Sequence, residues 1–120
     1  MTTTFRGLRV YQRAYKNSLE IHRISLEFPK YEQYELANQL RRATKSIVLN
    51  IAEGYAKSKS LPEFKRFLMM ALGSNDEVRV QLDYCRDLNY ITQEQHEHFE
   101  AEYVVIGKML TTMLQKWQKL

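Results

Sequence analysis

From Leu8 onward, apolar side chains recur at steps of three and four residues, the period of an α-helix, in four separate stretches. The first runs from about Leu8 to Leu26, with Leu8, Tyr11, Tyr15, Ser18, His22 and Ser25 on one stripe that Ala14 and Ile21 widen. Gly7 permits its start, and Phe28-Pro29 ends it, because proline disfavours the α conformation in the residue before it. The second runs from about Glu32 to Ala56 and lines up Leu36, Leu40, Ala43, Ile47, Ile51 and Gly54 before Lys57-Ser58-Lys59 stops it. The third, from about Leu61 to Asn89, repeats Phe64, Leu68, Ala71, Val78, Leu82 and Cys85. In the fourth, Phe99, Tyr103, Ile106, Leu110, Met113 and Trp117 step by four and three.

The breaks carry helix-start signals. Ser60-Leu61-Pro62-Glu63 reads as a capping box, with a serine oxygen for the free N–H groups and a glutamate reaching back. Pro62 falls in the first turn, where its missing N–H costs little. Thr92-Gln93-Glu94-Gln95 is a second such box. Four long helices joined by short breaks predict an all-α fold, an antiparallel up-down-up-down four-helix bundle forming one domain over residues 1–120.

The helices carry more apolar surface than one seam needs. Phe67 to Leu72 is apolar all round, and Leu49 and Ala52 lie opposite the Leu40/Ile47 face. A helix apolar on two sides is buried on two sides, so the expectation is a homo-oligomer.

Composition supports this outline. Four glycines and two prolines in 120 residues are too few for a loop-rich or all-β chain. A 44% hydrophobic content can build a core without disulfides or metals. The one cysteine, Cys85, has no internal partner, which points to a reducing compartment. Met1-Thr2-Thr3-Thr4-Phe5-Arg6 lacks a signal-peptide stretch, and no apolar run approaches the roughly 20 residues of a membrane span. The expected location is the cytoplasm.

The net charge of +4 is unevenly placed. Residues 1–60 carry eleven Lys/Arg against five Asp/Glu, whereas residues 61–120 carry seven against nine. The basic character belongs to the first half, a modest footprint for an acidic partner.

Catalytic and metal chemistry find little to work with. A di-iron bundle needs Glu-x-x-His on two helices, but His22, His96 and His98 are preceded at that spacing by Leu19, Gln93 and Gln95. Glu94, His98 and Glu102 share a face that reads as solvated. Cys85 falls on the core stripe, and Asp83 and Asp87 have Arg79 and Arg86 close by. Gly73-Ser74 has neither the strand nor the further glycines of a phosphate loop. The expectation is a non-enzyme without cofactor or metal.

Two basic sets are the candidates for binding. Arg6, Arg9, Arg13 and Lys16 form one stripe on the first helix. Arg41, Arg42 and Lys45 cluster on the second, away from Leu40 and Ile47, while Lys57, Lys59, Lys65 and Arg66 flank the following turn. With no aromatic RNP-type motif, GXXG loop or zinc-ligand spacing, these cations would meet phosphates and shape rather than base sequence. A polar set also flanks the seam. Gln39, Ser46 and Asn50 lie along one flank of the second helix, with Glu53 further round it, and Ser74, Glu77 and Gln81 offer counterparts on the third. Asn50, Glu53, Ser74 and Glu77 are expected to form a structural hydrogen-bond network.

Longer stretches resemble a known family. They are Phe5-x-x-Leu8-x-Val10-Tyr11-x-x-Ala14 with Phe28-Pro29-x-x-Glu32, and Gln39-Leu40-Arg41-Arg42-Ala43-x-x-Ser46-Ile47-x-x-Asn50-Ile51-Ala52-Glu53-Gly54-Tyr55. Glu63-Phe64-x-x-Phe67-Leu68-x-x-Ala71-x-Gly73-Ser74-x-x-Glu77 and Leu88-x-Tyr90-Ile91 follow. Together they are similar to the four-helix-bundle proteins encoded in intervening sequences of bacterial large-subunit ribosomal RNA genes. Val48 stands where proline is common, Gly7 where an acidic residue is usual, and Asn75-Asp76 where the position is often apolar. The resemblance implies a bacterial, ring-like homopentamer. It also implies a distant kinship with accessory proteins of diversity-generating retroelements, which work with a reverse transcriptase and nucleic acid. Two classes of function follow: an oligomeric adaptor holding RNA or DNA backbone through helices one and two, or a protein-binding scaffold whose basic faces keep it in solution.

Overall fold

The computed structural model describes residues 4–117, and of Trp117 the backbone alone. Met1 to Thr3 and the Trp117 ring, both invoked above, lie outside the described residues. The helices are α1 (Arg9–Ser25), α2 (Leu36–Ala56), α3 (Leu61–Asp87) and α4 (Gln93–Trp117). Short 3-10 turns occupy Phe5–Gly7 and Lys30–Glu32.

Cross-helix contacts set the directions. Ser18 meets Thr44 and Ser25 meets Arg41, so α1 and α2 run oppositely. Ser46 meets Ser74, whereas Gly54 lies against Phe64 and Phe67, so α3 runs against α2. Asn75 bonds to the Tyr103 carbonyl, Arg79 to Glu100 and Asp83 to His96, so α4 runs against α3. Arg13 reaches Glu102 and Glu20 approaches His98, which closes the circle antiparallel. This is the four-helix bundle that the periodicity predicts.

The core of these helices forms one continuous apolar cluster. Ile21, Leu40, Ile47, Ile51, Phe64, Leu68, Val78, Leu82, Tyr103, Ile106 and Leu110 are fully enclosed. Each such aliphatic or aromatic side chain contributes roughly 1.5–3 kcal/mol on burial. The predicted stripe of α3 is therefore the observed one, and those of α2 and α4 hold except at their ends, where Leu36 and Met113 are half-buried and Leu114 is buried. At Gly54 an added Cβ would stand 3.2 Å from the Phe67 Cβ, so glycine lets α2 and α3 approach.

Helix one differs. Its core stripe is Val10, Ala14, Asn17, Ile21 and Ser25 with Ser18, whereas Tyr15 is exposed and Leu8, Tyr11 and His22 are half-buried. The aromatic rings sit one step round the helix, on the flank beside α2. The inward stripe mixes small and polar side chains with Val10 and Ile21. Asn75 is a second departure: it occupies a core position of α3, and its Nδ2 donates to the Tyr103 carbonyl at 2.9 Å.

The helix ends follow local chemistry. Thr92 and Gln95 form both halves of a capping box, at 3.0 and 2.8 Å. At Ser60 only the Oγ half forms, at 3.5 Å, because the Glu63 carboxylate turns to Arg66 instead. Helix α2 begins at Leu36 rather than near Glu32. Before it the chain turns tightly, with Gln33 Nε2 donating to the Ser25 and Phe28 carbonyls. Helix α3 ends in a Schellman motif. Tyr90 N–H donates to Cys85 O, Asn89 N–H donates to Arg86 O, and Asn89 is left-handed with φ 65°.

Candidate nucleic-acid interface

The stripe Arg6, Arg9, Arg13 and Lys16 runs along α1. Arg6 stacks over its own neighbour, with its guanidinium carbon 4.6 Å from the Phe5 ring centre. Arg9 and Lys16 are exposed. Arg13 is committed: Nε and Nη2 donate to the two oxygens of Glu102, each at 3.1 Å, while Asn17 Nδ2 donates to the same carboxylate at 2.9 Å. Arg13 and Asn17 hold the Glu102 pKa below its ordinary value. The groove here, lined by Arg9, Arg13, Lys16, Glu20 and Glu102, thus mixes both signs of charge.

The cluster on α2 also divides. Arg41 is a structural latch rather than a free cation. Its Nη1 donates to Ser25 Oγ at 2.7 Å and Gln33 Oε1 at 3.2 Å, and its Nη2 donates to the Gln33 carbonyl at 3.0 Å. The apolar-stripe argument placed Arg41 facing water, but its helical position overlooks the α1–α2 connection, whose polar groups claim it. Arg42 and Lys45 are exposed. The ion pairs among the described residues leave Arg9, Lys16, Arg42 and Lys45 without a carboxylate partner.

One member of this surface was misread from sequence. His22 fell on the supposed core stripe, yet it is half-buried on the α1 flank beside α2. Burial, followed by Lys45, Arg41 and Arg23, holds its pKa below the ordinary value. A wider apolar-moment reading of α1, with Val10, Ala14 and Ile21 as its centre, would have moved His22 outward.

The polar set is partly assembled. Ser46 Oγ and Ser74 Oγ are 2.8 Å apart, and Asn50 Nδ2 donates to the Ser46 carbonyl at 2.8 Å and to its hydroxyl at 3.1 Å. Glu53 and Glu77 do not join. Glu53 is exposed, with the Lys57 ammonium 3.9 Å away, while Glu77 lines the cleft beside Arg42 and Ser74 with its side chain toward solvent. Both long acidic side chains gain more from water than from the seam.

The candidates for reaction chemistry are held in structural pairs. His96 Nε2 lies 2.7 Å from Asp83 Oδ1, and Arg86 Nε donates to Asp87 at 2.9 Å. Burial, reinforced by Glu32, pushes the Cys85 thiol pKa up to about 12, so it is no thiolate nucleophile at neutral pH. Glu102 is taken by Arg13, and His98 Nε2 stands 3.8 Å from Glu20. Among the described residues no three His, Cys, Asp or Glu side chains gather as a metal ion would require. Among the described residues no helix is long and apolar enough to cross a membrane.

Apolar surface remains outside the core. Leu49, Met69 and Met70 are 64%, 60% and 45% exposed. A groove of about 470 Å³ between α1 and α4 is lined by Leu8, Val10, Val105, Met109 and Met113.

Fold and surface together define a class: an all-α bundle with a basic outer face. The chain belongs to the family of the 23S rRNA-intervening sequence protein, whose pattern it matches over residues 6–112. It is also similar to a crystal structure of a protein of unknown function from the S23 ribosomal protein family of Bacteroides thetaiotaomicron. That likeness has 23% identity and a TM-score of 0.80, and covers 88% of this chain and 95% of the other. No curated protein matches this chain.

Proposed function

We propose that this protein is a non-enzymatic, oligomeric adaptor that holds the backbone of RNA or DNA on the basic surfaces of α1 and α2. The observation that carries this reading is the set of exposed, unpaired cations Arg9, Lys16, Arg42 and Lys45. They belong to a half of the chain with six more basic than acidic residues. Arg6 extends the set, whereas Arg13 and Arg41 serve the fold and support it from beneath. Weak cationic patches repeated in a ring, with five subunits favoured, raise avidity without new contacts.

Backbone contact makes a quantitative demand. The logarithm of affinity falls with the logarithm of salt by about 0.9 per neutralised phosphate on duplex DNA, and about 0.7 on single strands. Anisotropy titrations over a salt series test this. Arg42→Ala with Lys45→Ala flattens the slope and weakens all sequences alike, with melting temperature unchanged. Arg41→Ala is the wrong probe because it cuts the α1–α2 latch. Absence of binding to any RNA or DNA at low salt overturns the proposal. The exposed Leu49, Met69 and Met70 favour a second reading, a scaffold that binds another protein such as a reverse transcriptase.

A further inference from the structure

Along α1 the aromatic rings form a ladder. Phe5 packs edge-on to Tyr11 at 5.0 Å, and Tyr11 stacks on Tyr15 at 5.9 Å with planes only 15° apart. The ladder ends in a Tyr15 ring that is 49% exposed, the outermost rung. On the same flank His22 follows two turns later, about 10 Å along the axis. Across the α1–α2 seam stands Lys45, next to the Thr44 that meets Ser18. Lys45 has no carboxylate partner among the described residues, and it, Arg41 and Arg23 are the charged groups acting on His22 from α2 and α1.

We propose that this α1–α2 face selects single-stranded nucleic acid, with a base stacked on Tyr15 and the adjoining phosphate held by Lys45 and His22. The inference rests on the nucleic-acid reading above and sharpens it. A stacked, half-exposed tyrosine is a flat platform whose orientation is already fixed, so a base loses little entropy in finding it. Every base has a π-face, so the platform is indifferent to sequence. In a duplex the bases already stack on one another, and the ring then meets only backbone. Lys45 supplies the charge complementary to phosphate, and the His22 ring supplies an N–H donor that gains charge when it takes up a proton. The Arg9–Lys16 strip of α1 has Glu20 and Glu102 interleaved, which weakens its hold on the same phosphates relative to the α1–α2 face.

The proposal also sets a pH dependence. Burial, and after it Lys45, Arg41 and Arg23, holds the His22 pKa below its ordinary value, and a phosphate beside it favours the protonated ring. Binding therefore takes up a proton, and affinity rises as the pH falls.

The test is anisotropy of the full chain with a short fluorescein-labelled oligouridylate and with an RNA duplex of equal length. The single strand binds more tightly. Tyr15→Ala weakens it about fivefold or more with the salt slope unchanged, while Tyr15→Phe retains affinity. Lys45→Gln lowers the slope, and His22→Gln removes the rise at low pH. Thermal melting and light scattering of each variant report fold and assembly. Equal affinity for strand and duplex, or indifference to Tyr15→Ala, overturns the inference and leaves the nucleic-acid reading standing. Loss of assembly in Tyr15→Ala overturns it too, because the ring then belongs to a subunit contact. Failure to bind either RNA overturns both.

Discussion

Asn89 shows how one residue decides a helix end. Its φ of 65° lies in the left-handed region, where a Cβ costs roughly 1–2 kcal/mol and a β-branched side chain fits worst. Asn89→Val therefore lowers stability by about 1–2 kcal/mol, while Asn89→Gly is neutral or slightly stabilising, as chemical denaturation of the two variants checks. Ser74 is a different case. Removing its hydroxyl leaves Ser46 and Asn50 bonded to each other at the half-open seam. Ser74→Ala thus costs only about 0.5–1.5 kcal/mol, and denaturation in urea measures it. A cost of several kcal/mol would mean that Glu77 or another group depends on Ser74 as well.

Between elements, carboxylates bonded to arginine clamp α4 to its neighbours. Arg79 reaches Glu100 from α3, at 2.8 and 3.2 Å, and Arg13 reaches Glu102 from α1. The folded-state pKa of Glu102 is depressed by Arg13 and then Asn17. A depressed carboxyl stabilises the fold fully above its unfolded pKa, about 4.3, and loses that contribution as pH falls through the lower folded value. Glu102→Gln accordingly destabilises the protein at neutral pH and has less effect in acid. Melting temperatures from pH 7 down to pH 3 should converge for the two proteins. Parallel curves would show that the Arg13 pair contributes little.

On the scale of the whole molecule, Leu49, Met69 and Met70 are apolar surface left exposed on a single chain. Our reading puts another subunit there. Light scattering at micromolar concentration should then report several times the mass of one chain, with five copies favoured, and Leu49→Glu with Met70→Glu should reduce it. A wild-type monomer would refute the assembly and remove the avidity on which the adaptor reading draws. A ring would present Lys45 and Tyr15 repeatedly, so that modest single-site affinity suffices.

The sequence by itself determined the four helices, their antiparallel order, the core stripe of α3 and the centres of those of α2 and α4, because apolar period and capping residues are local properties. It also determined that Cys85 is a core residue and that the cations lie on α1 and α2. Tertiary structure alone decided which cations remain available. Arg41 was taken by Ser25 and Gln33, and Arg13 by Glu102, partners 8 to 89 positions away in the chain. It also decided which flank of α1 faces inward, since a stripe of Val10, Ala14, Asn17 and Ile21 is scarcely more apolar than one of Leu8, Tyr11 and Tyr15. Periodicity cannot rank two stripes of equal hydrophobicity. Tertiary contacts can, because Ser18 and Ser25 meet α2 while Arg13 and Asn17 meet Glu102 of α4, which fixes the flank of α1 that turns inward.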